Sequence, residues 1–104
     1  MALPKFQGNF NKEVMGKKGY VVVKFMATWC GPCKLLSPIV EDISKEMKTA
    51  SFIEIDVDEH GDIAAQNSVM GVPAVIVFKD GKETGRISGY YPKEEFKKRL
   101  NAVM

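Results

Sequence analysis

The chain has 104 residues, about one domain's worth, and a chain of that size buries roughly 65% of its unfolded surface, enough for a core without metals or several disulfides. Its 45% hydrophobic and 27% charged residues are ordinary for a globular protein, and 15 Lys plus Arg against 13 Asp plus Glu leave +2, too little to suggest nucleic acid or an anionic membrane as partner. The longest apolar run is Ala74 to Phe78, whereas a membrane-spanning helix needs about 20 residues, so no span is expected. Met1-Ala2-Leu3-Pro4-Lys5 lacks the basic region and apolar stretch of a secretory signal, which makes the cytoplasm the expected compartment. Two cysteines and the single His60 are too few for a four-ligand zinc site.

No repeat or long linker interrupts residues 1–104, which read as a single domain. Phe10, Val14 and Met15 stand at helical spacing and predict a short helix from Phe10 to Lys18, stopped by Gly19. Tyr20-Val21-Val22-Val23-Lys24-Phe25-Met26 is short, β-branched and nearly continuous in apolarity, as a central strand covered on both faces should be. After Ala27-Thr28-Trp29-Cys30-Gly31-Pro32, apolar residues recur at Leu35/Leu36, Ile39/Val40, Ile43 and Met47, a helix running to Lys48 with a kink expected at Pro38. Ser51 to Val57 reads as a second buried strand, Asp58 to Asp62 as polar loop, and Ile63 to Asn67 as a short helix. Ala74 to Phe78 is the strongest strand; Asp80-Gly81 signals a tight hairpin turn, and Glu83 to Ser88 returns antiparallel. Pro92 at a helix start, Glu94 and Glu95 in the first turn and the stripe Phe96, Leu100, Val103 predict a final helix. The order implies an α/β fold: a mixed sheet with an antiparallel edge and helices on both faces.

Both thiols lie in Trp29-Cys30-Gly31-Pro32-Cys33, between a strand and the first turn of a helix. A Cys30–Cys33 disulfide closes so short a loop that chain entropy contributes only about 2 kcal/mol, a poor reason for the pair as a staple. A helix N-terminus favours an anion by ~0.3 to 1 kcal/mol, and up to ~2 when partly buried, so Cys30 is placed to be a thiolate. Pro32 removes one amide donor and fixes its φ at the first helical position. Cys30, at the exposed end, should attack a disulfide; Cys33, one turn in, should resolve the mixed disulfide. Half a zinc knuckle, completed by a second chain, and two inert core thiols are the competing readings of the pair, and redox chemistry is favoured over both.

At these residues the chain resembles thioredoxins: Phe25-Met26-Ala27-Thr28-Trp29-Cys30-Gly31-Pro32-Cys33-Lys34, Val72-Pro73, Phe78-Lys79-Asp80-Gly81 and Ser88-Gly89 follow that family's order and spacing along essentially the whole chain. The resemblance implies a thioredoxin fold, a mixed sheet of about five strands with a parallel core and an antiparallel C-terminal hairpin, whose first strand must fit within Met1 to Gly8 despite Pro4. It implies a protein-disulfide reductase in which Cys30 attacks and Cys33 resolves, without a bound cofactor. A thioredoxin reductase restores the dithiol with electrons from NADPH, and the protein is expected to act as a monomer. It also implies a cis Val72–Pro73 bond and an apolar platform for protein substrates made of Trp29, Gly31, Pro32, Met70, Val72, Pro73 and Gly89. The chain departs from the family at Met26, where a tryptophan is common, and at Lys24, where a buried aspartate is usual. Glu54 stands where bacterial members carry lysine, so a charge-reversed Lys24–Glu54 pair beneath Cys33 is expected, with a part in proton transfer or in tuning the sulfur.

His60 reads as a solvated loop residue, Lys97-Lys98-Arg99 as the solvated face of the last helix, and Met15, Met26 and Met47 as core filler. A rival function keeps the fold as a binding scaffold without turnover; the intact Cys30 and Cys33 favour the enzyme.

Overall fold

The run of β-branched residues after Gly19 forms β1 (Tyr20–Met26), an inner strand of a mixed sheet in the computed structural model, which describes residues 3–104. β2 (Ala50–Asp56) lies parallel to it on one side and β3 (Ala74–Lys79) antiparallel on the other, with β4 (Lys82–Ser88) at the far edge, in the order β2-β1-β3-β4. The helix α1 (Gly31–Glu46) follows β1, α2 (Gly61–Gln66) follows β2, and α3 (Lys93–Val103) closes the chain.

Alternation along β1 explains why it reads as a continuous apolar run. Val21, Val23 and Phe25 face a layer containing Val14, Ile63 and Ala64, while Val22 faces Leu36, Val40, Phe96 and Leu100 from α1 and α3. Both faces are therefore covered, as expected. α1 runs through Pro38 without interruption and ends at Glu46.

Among the described residues the expected first strand is reduced to a single bridge, Lys5 opposite Glu54, and the sheet has four strands rather than about five. The Phe6 amide donates to the Glu54 carbonyl and the Glu54 amide to the Pro4 carbonyl, both at 2.9 Å. Two residues back, the same ladder needs an N–H from residue 4, which proline lacks. In the other direction Gly8, at φ +108, turns the chain away. Met1 and Ala2, which that expected strand included, lie outside the described residues.

The first helix is a π-helix, Asn11–Met15, closed by the Gly16 amide on the Asn11 carbonyl at 2.7 Å. The Glu13 carboxylate accepts the amides of Gln7 and Asn9, which satisfies donors of the preceding turn. Val14 is fully buried, but Met15 is 40% exposed and is not core filler; Met26 and Met47 are half-buried.

Asp80 and Gly81 both have positive φ, as the expected hairpin turn requires. Asp80 accepts the Gly19 amide through Oδ1 and donates its own amide to the Gly19 carbonyl, which ties the turn to the start of β1. At the far edge, Thr84 is an extra residue in the β3–β4 ladder, and Val103 of α3 packs directly on Gly85, where an added Cβ would meet it at 2.6 Å. Between the helices, Glu46 of α1 accepts hydrogen bonds from Lys93 and Lys97 of α3, which hold its carboxyl below the ordinary glutamate value, Lys93 contributing most.

Two predictions follow from these contacts. An alanine Cβ at Gly81 would lie 2.4 Å from the Met15 carbonyl oxygen at φ +84; Gly81→Ala is expected to lose about 1–3 kcal/mol in urea unfolding, and a loss under about 0.5 would show that the turn relaxes freely. Because the folded-state value of Glu46 is depressed, its contribution is present at neutral pH and lost as pH falls through that value. Glu46→Gln should therefore lower the urea midpoint at pH 7 and converge with the parent protein in acid and in high salt.

Candidate active site

β1 delivers the chain to the N-terminus of α1, and the site forms at that junction. Cys30 is the N-cap, in extended conformation, and its Sγ accepts the Cys33 amide at 3.2 Å. Pro32 is thus the second helical residue rather than the first, and its missing N–H leaves the Cys33 amide as the donor that reaches the sulfur. The two cysteines form a disulfide, with Cα atoms 5.3 Å apart. Cys30 is 4% exposed and Cys33 1%, so both are buried and Cys30 is the more open of the two. Ala27 and the half-buried Met26, Val57 and Val72 pack around the pair.

The Val72–Pro73 bond is cis. Val72 places its carbonyl oxygen 3.6 Å from Cys30 Sγ. Trp29, Met70 and Val72 line one cleft of about 130 Å³ together with Val57, Val69 and Gly71. Met70, Val72, Pro73 and Gly89 line an adjoining groove, in which the Gly89 amide donates to the Pro73 carbonyl at 2.9 Å. Gly31 and Pro32 are exposed at the start of α1. Trp29 is 68% exposed and Met70 96%. Sequence reasoning missed Asp58, whose Oδ2 accepts the Trp29 indole N–H at 2.8 Å. It also missed Val57, whose amide donates to the Met26 carbonyl at 2.9 Å and so brings the loop after β2 to the sulfurs. Only the cluster of acidic residues after β2 hinted at the first.

Lys24 and Glu54 are partners in the parallel β1–β2 register, on the face covered by α1. Lys24 Nζ donates to Glu54 Oε1 at 3.1 Å; the lysine side chain is 1% exposed and the glutamate 17%. Lys24 also donates to Ser37 Oγ, and the Ser37 hydroxyl donates to the Cys33 carbonyl at 3.0 Å. Ser37 was not singled out from sequence, although a polar residue one turn beyond Cys33 on the inward stripe is a usable signal. Glu54 further lines a separate cavity of about 140 Å³ with Lys5, Phe6, Met26 and Asp56.

The remaining candidates stand apart from the sulfurs in function. His60 is half-buried rather than simply solvated, packing edge-on against Phe6 with ring centroids 4.8 Å apart. Lys97 engages Glu46, and Arg99 engages Glu95 and lies over the Tyr91 ring; Lys98 and Arg99 are exposed and Lys97 is half-buried. Among the described residues no group of three or more His, Cys, Asp or Glu side chains could hold a metal, and no helix is long and apolar enough to cross a membrane.

Residues 2–102 match the family model described as Thioredoxin. The chain is 47% identical over 72 residues to thioredoxin-1 of Saccharomyces cerevisiae, covering 69% of this chain and 70% of that one. It is 42% identical over 88 residues to a thioredoxin of Mycoplasmoides gallisepticum, covering 85% and 88% respectively. A solved mutant thioredoxin from Halobacterium salinarum NRC-1 superposes with a TM-score of 0.85 at 29% identity, over 98% of this chain and 90% of that one.

The Lys24–Glu54 contact predicts strong coupling. Lys24→Met and Glu54→Gln should each cost about 2–3 kcal/mol, and the double variant at least about 1 kcal/mol less than their sum. Urea unfolding of the four proteins checks it; additive losses totalling under about 1 kcal/mol would place the pair with surface ion pairs.

Proposed function

We infer that this chain, which belongs to the thioredoxin family and is a protein-disulfide reductase, divides its reaction between Cys30 as the attacking sulfur and Cys33 as the resolving one. The observation that carries the division is the Cys33 amide donating to Cys30 Sγ at 3.2 Å. That donor and the helix N-terminus behind it favour negative charge on Cys30 in the reduced protein. The Cys30 thiolate attacks one sulfur of a substrate disulfide, forming a mixed disulfide and expelling the other substrate sulfur as a thiolate. Cys33 then loses its proton to water and attacks Cys30. The Cys30–Cys33 bond forms, the bond from Cys30 to the substrate breaks, and the substrate leaves reduced by two electrons. A thioredoxin reductase returns those electrons from NADPH.

The substrate rests on Trp29, Gly31, Pro32, Met70, Val72, Pro73 and Gly89. Support comes from the shared clefts beside the sulfurs and from the hydrogen bond by which Asp58 holds the exposed indole. Apolar contacts and main-chain pairing at Val72 suit many protein substrates rather than one. Lys24 and Glu54 tune Cys33 rather than take its proton, which leaves to water; Glu54 opens onto a cavity and partly offsets the lysine charge. The protein works as a monomer in the cytoplasm without a bound cofactor.

Two variants test the division of labour. Cys33→Ser should attack a disulfide substrate and stall as a stable mixed disulfide through Cys30, whereas Cys30→Ser should form none and lose turnover in a reductase-coupled assay. Peptide mass spectrometry of the trapped adduct decides it; an adduct on Cys33 in the parent protein would reverse the roles.

A further inference from the structure

The buried contacts beneath Cys33 run in a fixed direction. Glu54 accepts from Lys24, Lys24 donates to Ser37, and Ser37 donates to the backbone of Cys33. With its oxygen accepting from the ammonium, the Ser37 hydroxyl is left to donate its single proton, and the Cys33 carbonyl receives it. No buried side-chain nitrogen or oxygen among the described residues lacks a partner, so every buried polar atom of this network is engaged. It also lies where a charge matters. Lys24 is 1% exposed, and Cys33, one helical turn before Ser37, is equally buried, so solvent screens the two poorly from each other.

We propose that Ser37 is a positioning residue for the resolving step: its hydroxyl pins the buried Lys24 ammonium to the first turn of α1, so that a positive charge stabilises the Cys33 thiolate before it attacks Cys30. The proposal rests on the reading that Cys33 resolves. The step balances as above: the Cys33 proton leaves to water, the new bond joins the two cysteine sulfurs, and the substrate sulfur departs with the electron pair of the bond it loses. Ser37 changes no bond in this sequence. It fixes the distance over which the cation acts, and flexible lysine side chains hold such a distance only when their donors are engaged. Glu54 partly offsets the charge from β2, while the serine draws it toward the helix, so the residue linking lysine to Cys33 is the one whose loss the sulfur should feel.

The test is a pH titration of the reduced protein, following the Cys33 Cβ by NMR, with stopped-flow Trp29 fluorescence separating the attack and resolution phases. Ser37→Ala should raise the midpoint of Cys33 by about half a unit and slow resolution roughly threefold below that midpoint, with a smaller effect on attack. Ser37→Thr, which keeps the hydroxyl, should restore the parent profile. In the Lys24→Met, Glu54→Gln background, removing the hydroxyl should leave the midpoint where it is, because no charge remains to be positioned. An unmoved midpoint in Ser37→Ala, no restoration by threonine, or an equal shift in the uncharged background would each overturn the proposal. Failure of the underlying reading looks different: Cys33→Ser would then turn over without accumulating a mixed disulfide.

Discussion

A single backbone amide aimed at a sulfur organises the site. The Cys33 N–H reaches Cys30 Sγ only because Cys30 is extended while the next three residues are already helical. That switch of conformation needs β1 to end at Met26 and α1 to begin at Gly31, and both are anchored from outside the motif. β1 is held between two strands and buried on both faces, and α1 is pressed to the sheet by Leu36, Val40 and Ile43. The chemistry therefore inherits its geometry from the core, and weakening the packing under α1 would displace the donor from the sulfur before it unfolded the protein.

Beneath that junction the chain accepts a cost that most cores avoid. A lysine at 1% exposure forfeits hydration worth several kcal/mol, and one carboxylate at 17% exposure returns only part of it. A methionine at position 24 would continue the apolar run of β1 and remove that desolvation cost, but it would leave Glu54 and Ser37 without their partner. The retention of charge is understandable if it acts on the neighbouring sulfur, because the low dielectric that makes the lysine expensive also strengthens its influence there. Reversing the usual order of the pair changes what it offers. In the proposed roles a cation favours the Cys33 thiolate electrostatically, and the carboxylate, Glu54, stands on β2, where it lines a cavity.

The strands, α1, α3 and the Asp80-Gly81 turn were legible because each depends on local pattern: β-branched runs, apolar spacing, two residues at positive φ. What sequence reasoning missed depended on partners far along the chain or on a local change of helix type, neither of which apolar pattern carries. The first strand stops because Pro4 cannot donate where the ladder next requires it, so a recognised hazard became one bridge. Met15 fits the helical stripe, but the π-helix adds a residue per turn and rotates it into solvent. His60 looked solvated because its ring partner, Phe6, lies on a distant segment. The Lys24–Glu54 contact was expected through family resemblance alone, since pattern gives a strand's two faces and not which residue of the next strand stands opposite. Ser37 became visible only once α1 had been laid across that register.

The low exposure of Cys30 bears on how a substrate must approach. Cys30 as a residue is only 4% exposed, and its sulfur lies 3.6 Å from the Val72 carbonyl. Val72 belongs to the cleft whose other walls include Trp29 and Met70, the two most exposed large apolar side chains described. A partner that buries those side chains gains hydrophobic stabilisation of roughly 1.5–3 kcal/mol for each one fully covered, and the gain is available only when its chain lies in the cleft beside the sulfur. On the proposed reading, the same residues that attract an unfolded or extended segment align it for attack. A compact protein whose disulfide cannot enter the cleft gains neither the contact nor the alignment. On the proposed platform, selectivity for accessible, extendable disulfides follows from where the sulfur is kept, with Arg86 in the adjoining groove and Asp58 beside the indole as the nearby charged groups.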